Sequence, residues 1–145
     1  MLKGIPPILS PELLKVLAEM GHGDTIVIGD ANFAAASFAK NSILVRADGC
    51  KATDLVDAIL TLLPLDDFVE DPVILMDKEA RHADLECPVW DEYKAIVAKH
   101  DERGAAACRM ISRAEFYPRA QKAYCVVATT EPAFYACISL QKGCL

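Results

Sequence analysis

The sequence predicts an α/β fold, a three-layer α/β/α sandwich with helices on both faces of a mixed sheet. Two observations carry that prediction. Short uninterrupted apolar runs recur along the chain, among them Thr25-Ile26-Val27-Ile28, Ile43-Leu44-Val45 and Val73-Ile74-Leu75-Met76. Runs of this length between turn residues read as strands buried on both faces. The segments between them repeat their apolar residues at helical spacing, and strands alternating with helices define the α/β class.

Each element has its own local reason. Ser10 suits an N-cap and Pro11 the first helical position, with Leu13, Leu14, Val16 and Leu17 forming the apolar stripe of a helix over 11–20. Gly21 stops it. Strands follow at 25–28 and 43–45. Residues 53–63 form an amphipathic helix through Leu55, Val56, Ile59, Leu60 and Leu63, ended by Pro64. A strand at 72–76 precedes a helix over 89–99 with Trp90, Tyr93, Ile96 and Val97 on its stripe. A short strand at 106–111, a helix at 115–122 and strands at 123–128 and 133–140 complete the pattern. No repeat, low-complexity stretch or linker interrupts it, so residues 1–145 read as one domain.

Composition narrows the function. The 145 residues are 53% hydrophobic and 25% charged, a globular balance. A net charge of −6 with scattered basic residues argues against nucleic acid and anionic membranes, which need clustered Lys and Arg. No signal peptide and no run of transmembrane length is visible, so a cytoplasmic protein is expected. The mean hydropathy of +0.22 is high for a lone domain, and such excess apolar surface usually goes into subunit contacts. A homo-oligomer is expected. The six cysteines form no Cys-x-x-Cys pair and read as reduced core thiols. The three histidines have no metal-ligand spacing to them, so no metal is expected.

The strongest local feature is Gly21-His22-Gly23-Asp24. Glycines on both sides free the backbone to turn and leave the imidazole uncrowded, able to exchange protons near neutral pH. The same pattern also suits a loop histidine that caps a helix or faces water. Asp30 and Asn32 follow the strand at 25–29, and strand ends in α/β sheets are where ligands bind, which places Asp30 to join His22. Arg46-Ala47-Asp48-Gly49 reads as an ion pair on a tight turn. Asp66-Asp67, close after a helix, opposes the helix dipole and is either solvated or held by a partner. Arg113 and Tyr117 share a helix face at i and i+4, and Tyr135 falls in the terminal strand. Arg, Tyr and carboxylates are the usual lining for a polyhydroxylated ligand. There is no phosphate loop, no Gly-x-Ser-x-Gly elbow and no His-Glu-x-x-His, and no cysteine lies near a histidine in sequence.

Several of these segments together resemble the L-fucose mutarotase and D-ribose pyranase (RbsD/FucU) family, its fucose branch above all. They are Leu2 to Pro6, Leu9 to Leu14, Met20-Gly21-His22-Gly23-Asp24, Asp30-Ala31-Asn32-Phe33, Ile43 to Gly49, Leu63-Pro64-Leu65-Asp66, Pro88-Val89-Trp90 and Phe116 to Ala123. The resemblance implies an α/β subunit in a ring-like oligomer, typically a decamer, with sites at subunit contacts. It implies that His22 is the catalytic proton donor and that Asp30, Asp66, Arg113, Tyr117 and Tyr135 line a sugar site. It further implies a cofactor-free isomerase that opens and recloses a free monosaccharide, fucose first, with ribose or galactose as alternatives. By the residues' chemistry Asp30 orients His22 or holds a hydroxyl, Arg113 and Asp66 fix the remaining hydroxyls, and Tyr117 or Tyr135 serves as the second proton relay.

Two departures stand out. Ala34 replaces the family's usual proline. Cys137 ends the triplet Tyr135-Ala136-Cys137 where the family carries asparagine, and a thiol hydrogen-bonds more weakly than an amide. Cys137 therefore bears on which sugar is preferred. The alternatives left open are a D-ribose pyranase and a sugar-binding protein without turnover.

Overall fold

The computed structural model describes residues 1–145. Helix α1 (Pro11–Glu19) starts where the Ser10 hydroxyl accepts the Leu13 N–H, satisfying one of the free donors of the first turn. Then come β1 (Thr25–Gly29), α2 (Ala35–Phe38), β2 (Ile43–Ala47), α3 (Ala52–Leu60) and β3 (Val73–Met76). The second half holds α4 (Pro88–His100), β4 (Cys108–Ile111), α5 (Arg113–Lys122), β5 (Cys125–Thr129) and β6 (Ile138–Gln141).

The strands make one six-stranded mixed sheet in the order β2-β5-β1-β6-β3-β4. β6 pairs antiparallel with β1 and β3, while the remaining pairs are parallel. Five strands therefore run one way and end on a common edge. Strand alternation sends Ile26 and Ile28 to one face, under α1, α3 and α4, and Val27 to the other, under α2 and α5. The first face carries the larger core, including the fully buried Leu13, Leu55, Ile59 and Tyr93; the second centres on Phe116. The α/β sandwich with a mixed sheet is the architecture the apolar runs predict.

Boundaries differ where a local device intervenes. Helix α5 begins at Arg113 instead of residue 115, because Ser112 and Glu115 form a reciprocal capping box. α3 stops at Leu60, short of residue 63. The expected strand over 133–140 shrinks to β6, since Tyr135 adopts φ +56° and no extended strand passes through that region. Tyr135 thus lies in the loop before β6. Residues 106–107 belong to a 3₁₀ turn (Gly104–Ala107) rather than to a strand. All six cysteines are free thiols. No helix is long and apolar enough to cross a membrane.

Candidate functional site

Asp30 follows the last residue of β1, Met76 ends β3, Arg113 opens the helix after β4, and Cys137 precedes β6. All four positions fall on the edge where the five codirectional strands end. A cavity of about 340 Å³ opens there, lined by Asp30, Met76, His82, Arg113, Tyr117, Tyr135 and Cys137 among others. Its size lies within the range of ligand sites, about 300–1,000 Å³.

The cavity's polar groups are held from behind. Asp30 is buried, its Oδ1 accepting the Asn32 N–H at 2.9 Å and its Oδ2 the Ala136 N–H at 3.3 Å and the Cys137 thiol at 3.6 Å. Burial pushes its carboxyl above the ordinary range, opposed by the backbone N–H donors of Asn32 and Ala136. The Arg113 Nε–H donates to the Tyr117 hydroxyl at 2.5 Å and Nη1 to Glu79 Oε1 at 2.8 Å. Phe33 and Phe38 stack at 4.9 Å, and Phe38 meets the Tyr117 ring at 4.7 Å, forming an aromatic wall. The loop carrying Tyr135 is clamped through its backbone: Trp90 Nε1–H donates to the Tyr135 carbonyl at 2.9 Å and the Tyr93 hydroxyl to the Ala136 carbonyl at 2.7 Å. Such clamping sustains the left-handed backbone at Tyr135, a conformation that is strained for a residue with a Cβ.

His22 is elsewhere. It precedes β1, so the five residues of that strand, about 3.3 Å each, separate it from Asp30 by roughly 16 Å. Its ring partner is Asp66, with Nε2 at 3.0 Å from Oδ1. Asp66 is buried and also accepts the Phe68 N–H at 3.0 Å and the Gln141 amide at 2.8 Å. Burial alone would raise its carboxyl, but the Phe68 N–H, Gln141 and His22 together hold it below its ordinary value. Two glycines make the approach possible. Gly23 takes φ +87° in the His22 loop, and a Cβ on Gly143 would stand 2.6 Å from the Leu65 carbonyl oxygen. Arg103 fastens the same loop, donating to the carbonyls of Asp66 at 3.1 Å and Val69 at 3.0 Å. The Phe68 ring stands edge-on to His22 at 4.7 Å and is 75% exposed.

Asp30, Arg113, Tyr117, Tyr135 and Cys137 are therefore brought together, while His22 and Asp66 form a second cluster at the opposite edge of the sheet. The expected pairing of Asp30 with His22 does not occur within the subunit. Asp66 is held rather than solvated, and it lies six residues beyond the end of α3, away from that helix's dipole. Glu79, Arg81 and His82, on the 3₁₀ turn after β3, were not among the expected site residues. A histidine in the polar stretch Asp77 to Asp84 was their one signal. Arg46 and Asp48 form the expected ion pair at the surface, and it is bidentate. No three His, Cys, Asp or Glu side chains gather as metal ligands. Burial pushes the thiols of Cys125 up to about 12 and Cys108 up to about 11, and raises Cys137 further, which disfavours the nucleophilic thiolate.

Comparison with known proteins shows the family and the fold. The family model described as the RbsD / FucU transport protein family matches residues 3–145. The chain is 47% identical over 147 residues to the fucose mutarotase of Homo sapiens, covering 99% of this chain and 94% of that one. It superposes with a TM-score of 0.96 on FucU from Bifidobacterium longum, at 50% identity and 99% coverage of both. The fucose mutarotase from Streptococcus pneumoniae, solved in complex with L-fucose, superposes with a TM-score of 0.92 at 41% identity and 99% coverage of both.

Proposed function

The chain belongs to the RbsD / FucU family, and from that premise we propose that it is a sugar mutarotase interconverting the α and β anomers of a free monosaccharide, L-fucose first. The observation that carries this reading is the cavity lining. One carboxylate, two guanidiniums and two phenols converge beside an aromatic wall. That set can satisfy several hydroxyls while rings pack a pyranose face. Similar proteins named fucose mutarotase make L-fucose the first substrate to test.

Anomer exchange moves protons and changes no oxidation state. The anomeric hydroxyl loses its proton, the ring oxygen gains one, the bond between C1 and the ring oxygen breaks, C1 rotates about C1–C2, and the ring recloses. His22 is the proposed acid. In the imidazolium form Asp66 accepts the Nε2–H, and the Nδ1–H is the proton His22 gives up. Tyr117 or Tyr135 completes the relay. Spontaneous exchange is already measurable in water, so an acid–base contribution of about 10²–10⁴-fold suffices.

Because His22 and the cavity occupy opposite edges of one sheet, a complete site takes His22 from one copy and the cavity from the next. A patch at one end meeting a different patch at the other is a head-to-tail contact, and such contacts close into rings. The ring-like decamer expected from the family satisfies this geometry. The exposed Phe68 beside His22 and Phe134 at the cavity mouth supply apolar surface for the contact.

Exchange NMR on L-fucose, D-ribose and D-galactose tests the reading. Faster exchange between anomers of L-fucose than in buffer supports it, and faster pyranose–furanose exchange of ribose would favour a pyranase. Binding without any acceleration would overturn the enzyme and leave a sugar-binding protein. That second reading rests on Cys137, whose thiol stands where a sugar-facing amide is expected and turns to Asp30.

A further inference from the structure

His82 has no part in the scheme above, yet it is the nearest titratable group to a phenol that does. Its Nδ1 lies 2.5 Å from the Tyr135 hydroxyl oxygen, and the two rings meet at 70°. The Glu79 backbone N–H donates to the same oxygen at 3.3 Å. An amide can only donate, so the phenol's own proton is free to point at Nδ1, with the neutral imidazole as acceptor. The turn bearing His82 is closed by its N–H to the Glu79 carbonyl at 2.8 Å and braced by Lys78, whose Nζ donates to the Leu85 carbonyl at 2.7 Å. Both rings line the cavity.

The geometry points to a His82–Tyr135 couple as the second proton-transferring group of the reaction, with Tyr135 touching the sugar and His82 taking up the proton behind it. This rests on the mutarotase reading. It resolves a chemical difficulty in that reading, since a phenol alone is a poor base at neutral pH. The protons balance. As the anomeric hydroxyl gives its proton to the Tyr135 oxygen, the phenol proton passes to His82 Nδ1, C1 becomes a carbonyl, and the ring oxygen takes the proton of His22. Closure on the other face returns both protons along the same paths. The cycle begins with His22 protonated and His82 neutral.

Besides Tyr135, the charged and titratable groups facing this couple are Glu79, Arg81 and Arg113, with Asp30, Tyr117 and Cys137 across the cavity. Glu79 bridges both arginines, Arg113 at 2.8 Å and Arg81 at 2.8 Å, so one carboxylate is shared between two guanidiniums. His82 is a positioning and relay residue, and its test needs a readout beyond rate.

His82→Asn keeps a hydrogen-bonding atom near Nδ1 but removes the basic nitrogen. The expected result is a fall in kcat of about 10²-fold with little change in KM. The acidic limb of the kcat–pH profile, where His82 becomes protonated, is lost with it. Tyr135→Phe combined with His82→Asn falls no further than Tyr135→Phe alone, because the two act as a unit. A His82→Asn variant with wild-type kcat and an unchanged acidic limb overturns the couple. A second measurement does not depend on turnover: ¹⁵N NMR titration of His82 in the unliganded protein and in Tyr135→Phe. A displaced His82 midpoint in the variant supports the couple, and an unmoved one overturns it. Should the wild-type protein accelerate no sugar, the mutarotase reading falls on that result and the titration alone decides the couple.

Discussion

Nε2 of His22 and Oδ1 of Asp66 lie 3.0 Å apart across 44 residues of sequence. The carboxylate that orients the proposed proton donor comes from the loop after α3, not from the strand that follows the histidine. The same carboxylate takes the Phe68 N–H and the Gln141 amide as well. Its ionised form is thereby built into the fold.

That arrangement makes acid stability depend on Asp66. Burial raises the carboxyl, yet the Phe68 N–H, Gln141 and His22 outweigh it and the folded value lies below the ordinary one. A carboxylate of this kind contributes fully above its unfolded value of about 3.9, and the contribution is lost as pH falls through the lower folded value. Asp66→Asn is expected to melt below wild type at neutral pH, with the gap closing as the buffer is taken below about pH 4. Thermal melts across that window check it; a gap constant with pH would assign the linkage to another group.

A site shared between copies predicts complementation. His22→Ala and Tyr135→Phe are each expected to lose about 10²-fold or more of the exchange rate. When the two variants are refolded together in equal amounts, one head-to-tail contact in four joins an intact His22 to an intact Tyr135. About a quarter of wild-type activity should return. If the mixture is no more active than its parts, each subunit carries its own complete site.

Much of this was legible in the chain, and the rest fails for identifiable reasons. The buried strands announce themselves because a strand covered on both faces has no polar residues to confuse with a loop, as in Ile26-Val27-Ile28. Asp30 at the cavity follows from the strand-end rule. The start of α5 was spelled by Ser112 and Glu115, a capping box that the helical stripe alone passes over. Tyr135 could not be placed locally. Its run Ala133 to Ile138 is apolar enough for a strand, and its left-handed backbone is imposed by Trp90, Tyr93 and Asp30 from elsewhere in the chain. The His22–Asp66 pair depends on Gly143 admitting the loop, a close approach between segments that no local spacing encodes.

Cys137 offers a direct handle on specificity. Its thiol is buried and turned to Asp30 Oδ2, so it presents the cavity with a weak hydrogen-bonding surface. Cys137→Asn adds an amide that can both donate to Asp30 and meet a sugar hydroxyl. Groups built to pair with a hydroxyl discriminate strongly against sugars that cannot pair. The variant is expected to change the ratio of kcat/KM for L-fucose over D-galactose by about tenfold or more, read by exchange NMR. An unchanged ratio would place residue 137 outside the contact surface.

Ala34 provides a test of stability separate from catalysis. It sits at φ −76° and ψ +55° with the Ala35 N–H bonded to the Phe33 carbonyl at 2.8 Å, the geometry of an inverse γ-turn. Its own N–H donates to no protein acceptor, and its φ lies within the range a proline ring imposes. Proline at this position narrows the unfolded ensemble without removing a hydrogen bond. Ala34→Pro should therefore stabilise the fold by about 0.4–1 kcal/mol. A urea titration with an unchanged m-value and a raised midpoint would show it. A lowered midpoint would mean that Phe33, which packs against Gly29, resists the extended backbone that a following proline favours.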